Sequence, residues 1–246
     1  MQLDNKVVLV TGGSRGLGKA MVEAFAAAGA DVVIASRKLD NCEKLATEIR
    51  EKHGRRALPV AANVSNWNDC DALIDTAYAE FGRVDVLVNN AGLSPLYPSL
   101  DQVSEALFDK VIGVNLKGPF RLSSVIGTRM SAGDGGSIIN ISSIAAIRAD
   151  GLALPYSAAK AGLNALTEGL AQSFGRTVRT NAIQCGPFAT DIADGWPTGL
   201  REHLEANIAL GRVGMPDDII GAAMYFASDA SAYCTGAILR LDGGIK

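Results

Sequence analysis

The sequence predicts an α/β fold, a doubly wound parallel sheet of about seven strands with helices on both faces. Three observations predict it. Short β-branched runs alternate with longer amphipathic stretches along the whole chain, the pattern of repeated strand–helix–strand units with right-handed crossovers. The short runs are apolar over four to six residues, as in strands buried on both faces. The first of them leads straight into a glycine-rich turn that opens a helix.

Taken in order, the strand-like runs are Val7–Val10, Asp31–Ala35, Ala57–Ala61, Val84–Asn89, Ser137–Ile141, Arg179–Ile183 and Ala237–Leu241. Between them, helical spacing covers Leu17–Ala28, Leu39–Lys52, Asn66–Phe81, Glu105–Met130, Pro155–Phe174 and Pro216–Ser228. No linker, repeat or low-complexity segment interrupts the alternation, so residues 1–246 read as one domain. The least regular segment, Phe188–Asn207, carries Gly195, Trp196, Pro197 and Gly199 and suits a mobile substrate lid.

Composition narrows the function classes. Hydrophobic residues are 48% and charged residues 20% of the chain, which argues against disorder. The net charge of −3 comes without a basic run, against a nucleic-acid or anionic-membrane partner. No apolar stretch approaches the roughly 20 residues a membrane helix needs. Cys42, Cys70, Cys185 and Cys234 form no CxxC pair, and His53 and His203 lie far apart, so metal-ligand spacing is absent. Free thiols fit a reducing cytoplasm, with Cys70 and Cys234 as packing residues.

The turn Thr11-Gly12-Gly13-Ser14-Arg15-Gly16-Leu17-Gly18 has the spacing GxxxGxG, strand before and helix after. Such a turn lets the backbone approach a pyrophosphate at the positive end of a helix. After the second run, where a carboxylate would bond a ribose 2′-hydroxyl, stand Ser36-Arg37-Lys38. Arg37, with Arg15 from the turn, suits a 2′-phosphate and favours NADP(H) over NAD(H); alternatively Arg37 and Lys38 are solvated charges after a strand. Asn63-Val64 and Asn89-Asn90-Ala91-Gly92 end the third and fourth runs, where open sheets bind ligands; Asn89 reads as a structural tie.

Tyr156 and Lys160 stand four residues apart at the start of a helix and project together. A nearby ammonium lowers a phenol's pKa, which would let Tyr156 exchange a proton with a substrate oxygen. Ser143 ends the fifth run at the same sheet edge, where its hydroxyl can bond a carbonyl oxygen; Ser142 reads as a strand-end cap. Asn115, inside the long helical stretch, either kinks that helix around a water or lies on the surface.

The segments TGGSRGLG, NNAG, NISS, YSAAK, NAIQCGPFATD and LDGG, in this order from residue 6 to the end, resemble the single-domain branch of the short-chain dehydrogenase/reductase family. The resemblance extends to its 3-oxoacyl-acyl-carrier-protein reductases. It implies a Rossmann-like sheet, commonly a homotetramer packed through the stretches Glu105–Met130 and Pro155–Phe174, and a catalytic tetrad of Asn115, Ser143, Tyr156 and Lys160. In that tetrad Tyr156 is the acid/base, Ser143 orients the carbonyl, Lys160 anchors the ribose and Asn115 holds a water. The implied cofactor contacts are Gly12, Ser14, Arg15, Gly16, Leu17 and Gly18, then Arg37, Asn63, Val64, Asn90, Ala91, Gly92, Gly186 and Thr190, with Tyr156 and Lys160.

Three departures stand out. Asn63 replaces a usual Asp, Cys185-Gly186 replaces a usual Pro-Gly and leaves Cys185 reachable by oxidants, and Ser131–Gly136 carries Asp134 with no base between 130 and 147. The last argues against an acidic carrier-protein partner. The leading expectation is an NADP(H)-dependent carbonyl reductase or alcohol dehydrogenase acting on an apolar small molecule. Its pocket would use Leu96, Tyr97, Leu152, Phe188 and Trp196, unless these are ordinary loop packing. The alternatives are 3-oxoacyl-thioester reduction, a sugar or polyol oxidoreductase, and a cofactor-binding scaffold without chemistry.

Overall fold

The computed structural model describes residues 1–149, 151–190 and 199–245. All seven expected runs are strands: β1 (Val7–Thr11), β2 (Asp31–Ser36), β3 (Ala57–Ala61), β4 (Val86–Asn89), β5 (Gly136–Ser143), β6 (Val178–Cys185) and β7 (Ile238–Leu241). They form one parallel sheet in the order β3-β2-β1-β4-β5-β6-β7. The helices are α1 (Gly16–Ala27), α2 (Leu39–His53), α3 (Trp67–Phe81), α4 (Glu105–Ile112), α5 (Gly118–Ser131), α6 (Leu154–Phe174), α7 (Leu200–Ala206) and α8 (Ile220–Ala227).

Side-chain alternation along the strands sorts the core into two layers. Val8 and Val10 of β1 and Val32 and Ile34 of β2 pack with Met21 and Phe25 of α1, Leu45 and Ile49 of α2, and Phe226 of α8. Val7, Leu9 and Val33 face the other way, onto Leu73 and Ile74 of α3 and Leu122 and Ile126 of α5. Both faces being covered, the strands read as continuous apolar runs.

Two expectations are corrected. The stretch Glu105–Met130 is two helices joined by a π-helical turn, Gly113–Lys117. Pro119 has no N–H to give to the carbonyl four residues back, which is that of Asn115, so the α-helical ladder opens there. The approach is close as well: a Cβ on Gly118 would lie 2.3 Å from the Val64 carbonyl oxygen. Second, the segment expected to be irregular contains α7, which starts after Gly199 at φ +81°. Trp196 lies outside the described residues.

Candidate active site

The chain runs outward from β1 to β2 and β3, then returns to the other side of β1 as β4. The loops after β1 and β4 therefore diverge and leave a crevice at the strands' C-terminal ends, the place where open sheets bind ligands. Thr11 and Asn90 close its floor. The Thr11 hydroxyl accepts from the N–H groups of Asn90 (3.0 Å) and Ala91 (3.1 Å), and the Asn90 amide donates to the carbonyls of Thr11 (2.9 Å) and Gly12 (3.0 Å). The Asn90 side chain thus holds the glycine turn, and Asn90 also lines the cleft as expected. Asn89 is the structural tie foreseen, donating to Ser123 (2.9 Å) and Asn140 (2.8 Å) inside the core.

The turn itself needs its glycines. Gly16 sits at φ +51°, and a Cβ on Gly18 would lie 2.1 Å from the Gly12 carbonyl oxygen. Helix α1 follows with no side-chain cap and no acidic residue in its first turn, so its positive end faces the crevice unneutralised by a carboxylate of its own. At the end of β2, the Ser14 hydroxyl donates to that of Ser36 (3.0 Å), with Arg37, Lys38 and Asn41 beside it on the rim. After β3, the Asn63 side-chain oxygen accepts from the backbone and hydroxyl of Ser65, while the Asn63 N–H donates to Asp69 at 3.1 Å. The carboxylate that stabilises this turn comes from α3.

On the opposite wall, β5 and α6 bring three predicted groups together. The Ser143 hydroxyl hydrogen-bonds the Tyr156 phenol and also accepts from the Ala145 N–H at 3.1 Å. Ser142, expected to cap the strand end, instead donates to Asn164 of α6 (2.6 Å), so capping falls to Ser143. The Lys160 ammonium donates to the Ile141 carbonyl at 2.7 Å and lies 5.6 Å from the Tyr156 ring centre. Burial pushes the phenol up to about 12, against the pull of Ser143, and brings the ammonium down to about 8. The expected lowering of Tyr156 by Lys160 is therefore corrected: desolvation dominates, and the neutral phenol is the form present near neutral pH. Cys185 lines this wall, and burial raises its thiol to about 12, which leaves it protonated and poorly nucleophilic.

Asn115 is fully buried, neither on the surface nor in the cleft lining. Its amide donates to the carbonyls of Leu93 (2.8 Å) and Val111 (2.9 Å), and its oxygen accepts from the Leu93 N–H at 3.3 Å. Its side chain holds the loop after β4.

The resulting cleft has a volume of about 780 Å³. Arg15, Arg37, Lys38 and Lys160 line it, and among the described residues no Asp or Glu does. Gly12, Ser14, Gly16, Leu17, Asn63, Val64, Ala91, Gly92, Gly186 and Thr190 line it as expected, whereas Gly18 stands behind the turn. Of the apolar pocket candidates Phe188 lines it, but Leu96 and Leu152 stand 64% and 57% exposed away from it. Tyr97 is buried among loop groups instead. Sequence reasoning missed Leu93, Ser94, Asn41 and Pro187, whose one signal was adjacency to the recognised motifs.

A family model described as "Enoyl-(Acyl carrier protein) reductase" matches residues 12–246. An L-rhamnose 1-dehydrogenase (NAD(P)(+)) from Azotobacter vinelandii is 38% identical over 100% of this chain and 98% of its own. A 3-oxoacyl-[acyl-carrier-protein] reductase from Thermotoga maritima is 35% identical over 100% and 99%. Among solved structures, a short-chain type dehydrogenase/reductase from Mycobacterium marinum superposes with a TM-score of 0.92 at 31% identity, covering 99% of this chain and 96% of its own. Fold and site together define a hydride-transfer class of protein. The chain belongs to the short-chain dehydrogenase/reductase family.

Proposed function

We propose that the protein is an NADP(H)-dependent oxidoreductase that interconverts an alcohol and a ketone or aldehyde. One observation carries the reading: Tyr156, Ser143 and Lys160 converge on a cleft whose described lining holds four cationic residues and no carboxylate. That lining fits a polyanionic dinucleotide. The glycine turn and the start of α1 take the pyrophosphate, Ser14, Arg15 and Arg37 take the 2′-phosphate, and Lys160 takes the ribose hydroxyls near the reacting centre.

When bound, the nicotinamide supplies or accepts the hydride. The protein's own part is proton transfer and positioning. Tyr156, held neutral by burial, donates its phenolic proton to the carbonyl oxygen in reduction and takes it back in oxidation. Ser143 donates a hydrogen bond to that oxygen as charge develops on it. Lys160 stabilises the phenolate left behind, and Asn115 fixes the wall that holds the substrate through Leu93.

Two results are expected. In reduction, kcat/KM holds steady near neutral pH and falls as pH rises through about 8, because Lys160, lowered by burial, loses its proton there. The check is a pH–rate profile from 6 to 10. Replacing Gly18 by Ala drives a methyl against the Gly12 carbonyl and is expected to raise the NADPH Kd by about 10-fold or more, because the whole turn must shift. A fluorescence titration measures it.

The test of the reading is NADPH against NADH titration followed by a cofactor-linked screen. The panel is ethyl acetoacetate, cyclohexanone, L-rhamnose and an acetoacetyl thioester on acyl carrier protein. Binding of neither nucleotide sinks the enzyme reading and favours a scaffold. Turnover of the carrier thioester alone favours the second reading, 3-oxoacyl reduction, which the Thermotoga relative supports. Against it, Arg83 is paired with Asp134 at 3.4 Å, and Arg129 is committed to Asp75 at 2.9 Å and to the Tyr78 ring.

The same reading takes residues 1–246 as one domain with a substrate cover around 188–207, in a cytoplasmic homotetramer. Exposed Trp67, Phe108 and Phe120 on α3, α4 and α5 support association, and sedimentation gives the assembly size. No helix among the described residues is long and apolar enough to cross a membrane.

A further inference from the structure

We propose that Tyr97 is a positioning residue that locks the substrate-side wall of the cleft to the helix carrying Tyr156, an inference that rests on the function proposed above. Tyr97 stands in the loop after β4 and is 8% exposed. Its phenol donates to the Gly151 carbonyl (2.7 Å) and accepts from the Leu154 N–H (2.9 Å). Leu154 is the first residue of α6, and its N–H has no partner within the helix. Ala153, at the N-cap position, makes no side-chain cap. Tyr97 therefore caps α6 from another loop, two residues before Tyr156.

The other end of the same loop is held as firmly. Asn115 bonds both the N–H and the carbonyl of Leu93. Leu93 and Ser94 line the cleft, so the wall between Leu93 and Tyr97 is pinned at one end to the π turn and at the other to the catalytic helix. Two connections of β5 and β4 are joined by one hydroxyl. Without it, the Gly151 carbonyl and the Leu154 N–H lose their shared partner, and the distance from wall to Tyr156 is no longer set. Reacting groups misplaced by a fraction of an ångström to an ångström lose rate steeply.

The experiment compares the wild type with Tyr97→Phe, which keeps the buried ring and removes only the hydroxyl, with Tyr156→Phe in parallel. Hydrogen-exchange mass spectrometry needs no substrate. Exchange is expected to rise together in peptides covering 93–99 and 151–157 and to stay unchanged over 11–18. With the carbonyl from the screen that turns over, kcat/KM is expected to fall about 10-fold, carried mostly by kcat, with the NADPH Kd within about twofold of wild type. A rise confined to 93–99, no rise, or a rise across the whole chain overturns the positioning role. Unchanged kcat/KM in Tyr97→Phe beside an inactive Tyr156→Phe overturns it while leaving the proposed function standing. A fully active Tyr156→Phe instead takes the proton-transfer role away from Tyr156 and leaves the oxidoreductase class standing.

Discussion

Replacing Tyr156 by Phe is expected to lower carbonyl reduction by about 10²–10⁴-fold, the usual contribution of a positioned acid or base. The substitution removes one oxygen. The ring stays half-buried, and Ser143 keeps its bond from the Ala145 N–H, so the fold has little reason to change. NADPH affinity is expected to stay within about threefold, because the phosphate-facing groups lie on the other wall of the cleft. The check is turnover and a fluorescence titration on the same preparation. Retained turnover would show that the proton comes from elsewhere. Joint loss of turnover and cofactor binding would show a collapsed site and no specific acid.

The second large effect is on cofactor choice. Arg37→Ala is expected to weaken NADPH binding by about 10-fold while moving NADH by less than about twofold. A charge-assisted bond is worth about 1.5–3 kcal/mol, and exposure at the rim discounts it toward the lower figure. Because the interaction is at the surface, the NADPH advantage is also expected to shrink as salt rises from about 0.05 to 0.5 M. Titrations with both nucleotides at both salts measure it. An NADH preference in the wild type would turn the reading of Arg15 and Arg37 over while leaving the family untouched.

The positions of the strands were legible because burial on both faces writes itself as an uninterrupted apolar run, and each of the seven lies where its run does. The glycine turn was legible because steric demand is local: no other residue fits Gly18 beside Gly12. The pair Tyr156 and Lys160 was legible from helical spacing only in company with Ser143 at the end of the fifth run and the glycine turn. Among the readings that failed, three did so for reasons that spacing does not carry. The long stretch from Glu105 breaks at a proline whose effect falls on the carbonyl of Asn115. The direction of the Tyr156 shift depends on how deeply neighbours bury it. Leu96 and Leu152 looked like pocket residues because they follow strand ends, yet Tyr97 beside them turns inward and they turn out.

The sequence by itself determined the family, the order of elements and the chemistry available at the sheet edge. It could do so because periodicity, glycine geometry and helix spacing act within a few residues of each other. The tertiary structure alone decided which of those groups meet. It set Asn115 on Leu93 across 22 residues and Asn90 on Thr11 across 79, and it set Tyr97 on Gly151 and Leu154 across 54 and 57. Such bonds depend on where two distant loops come to rest on a shared sheet, and no local pattern encodes the distance between them.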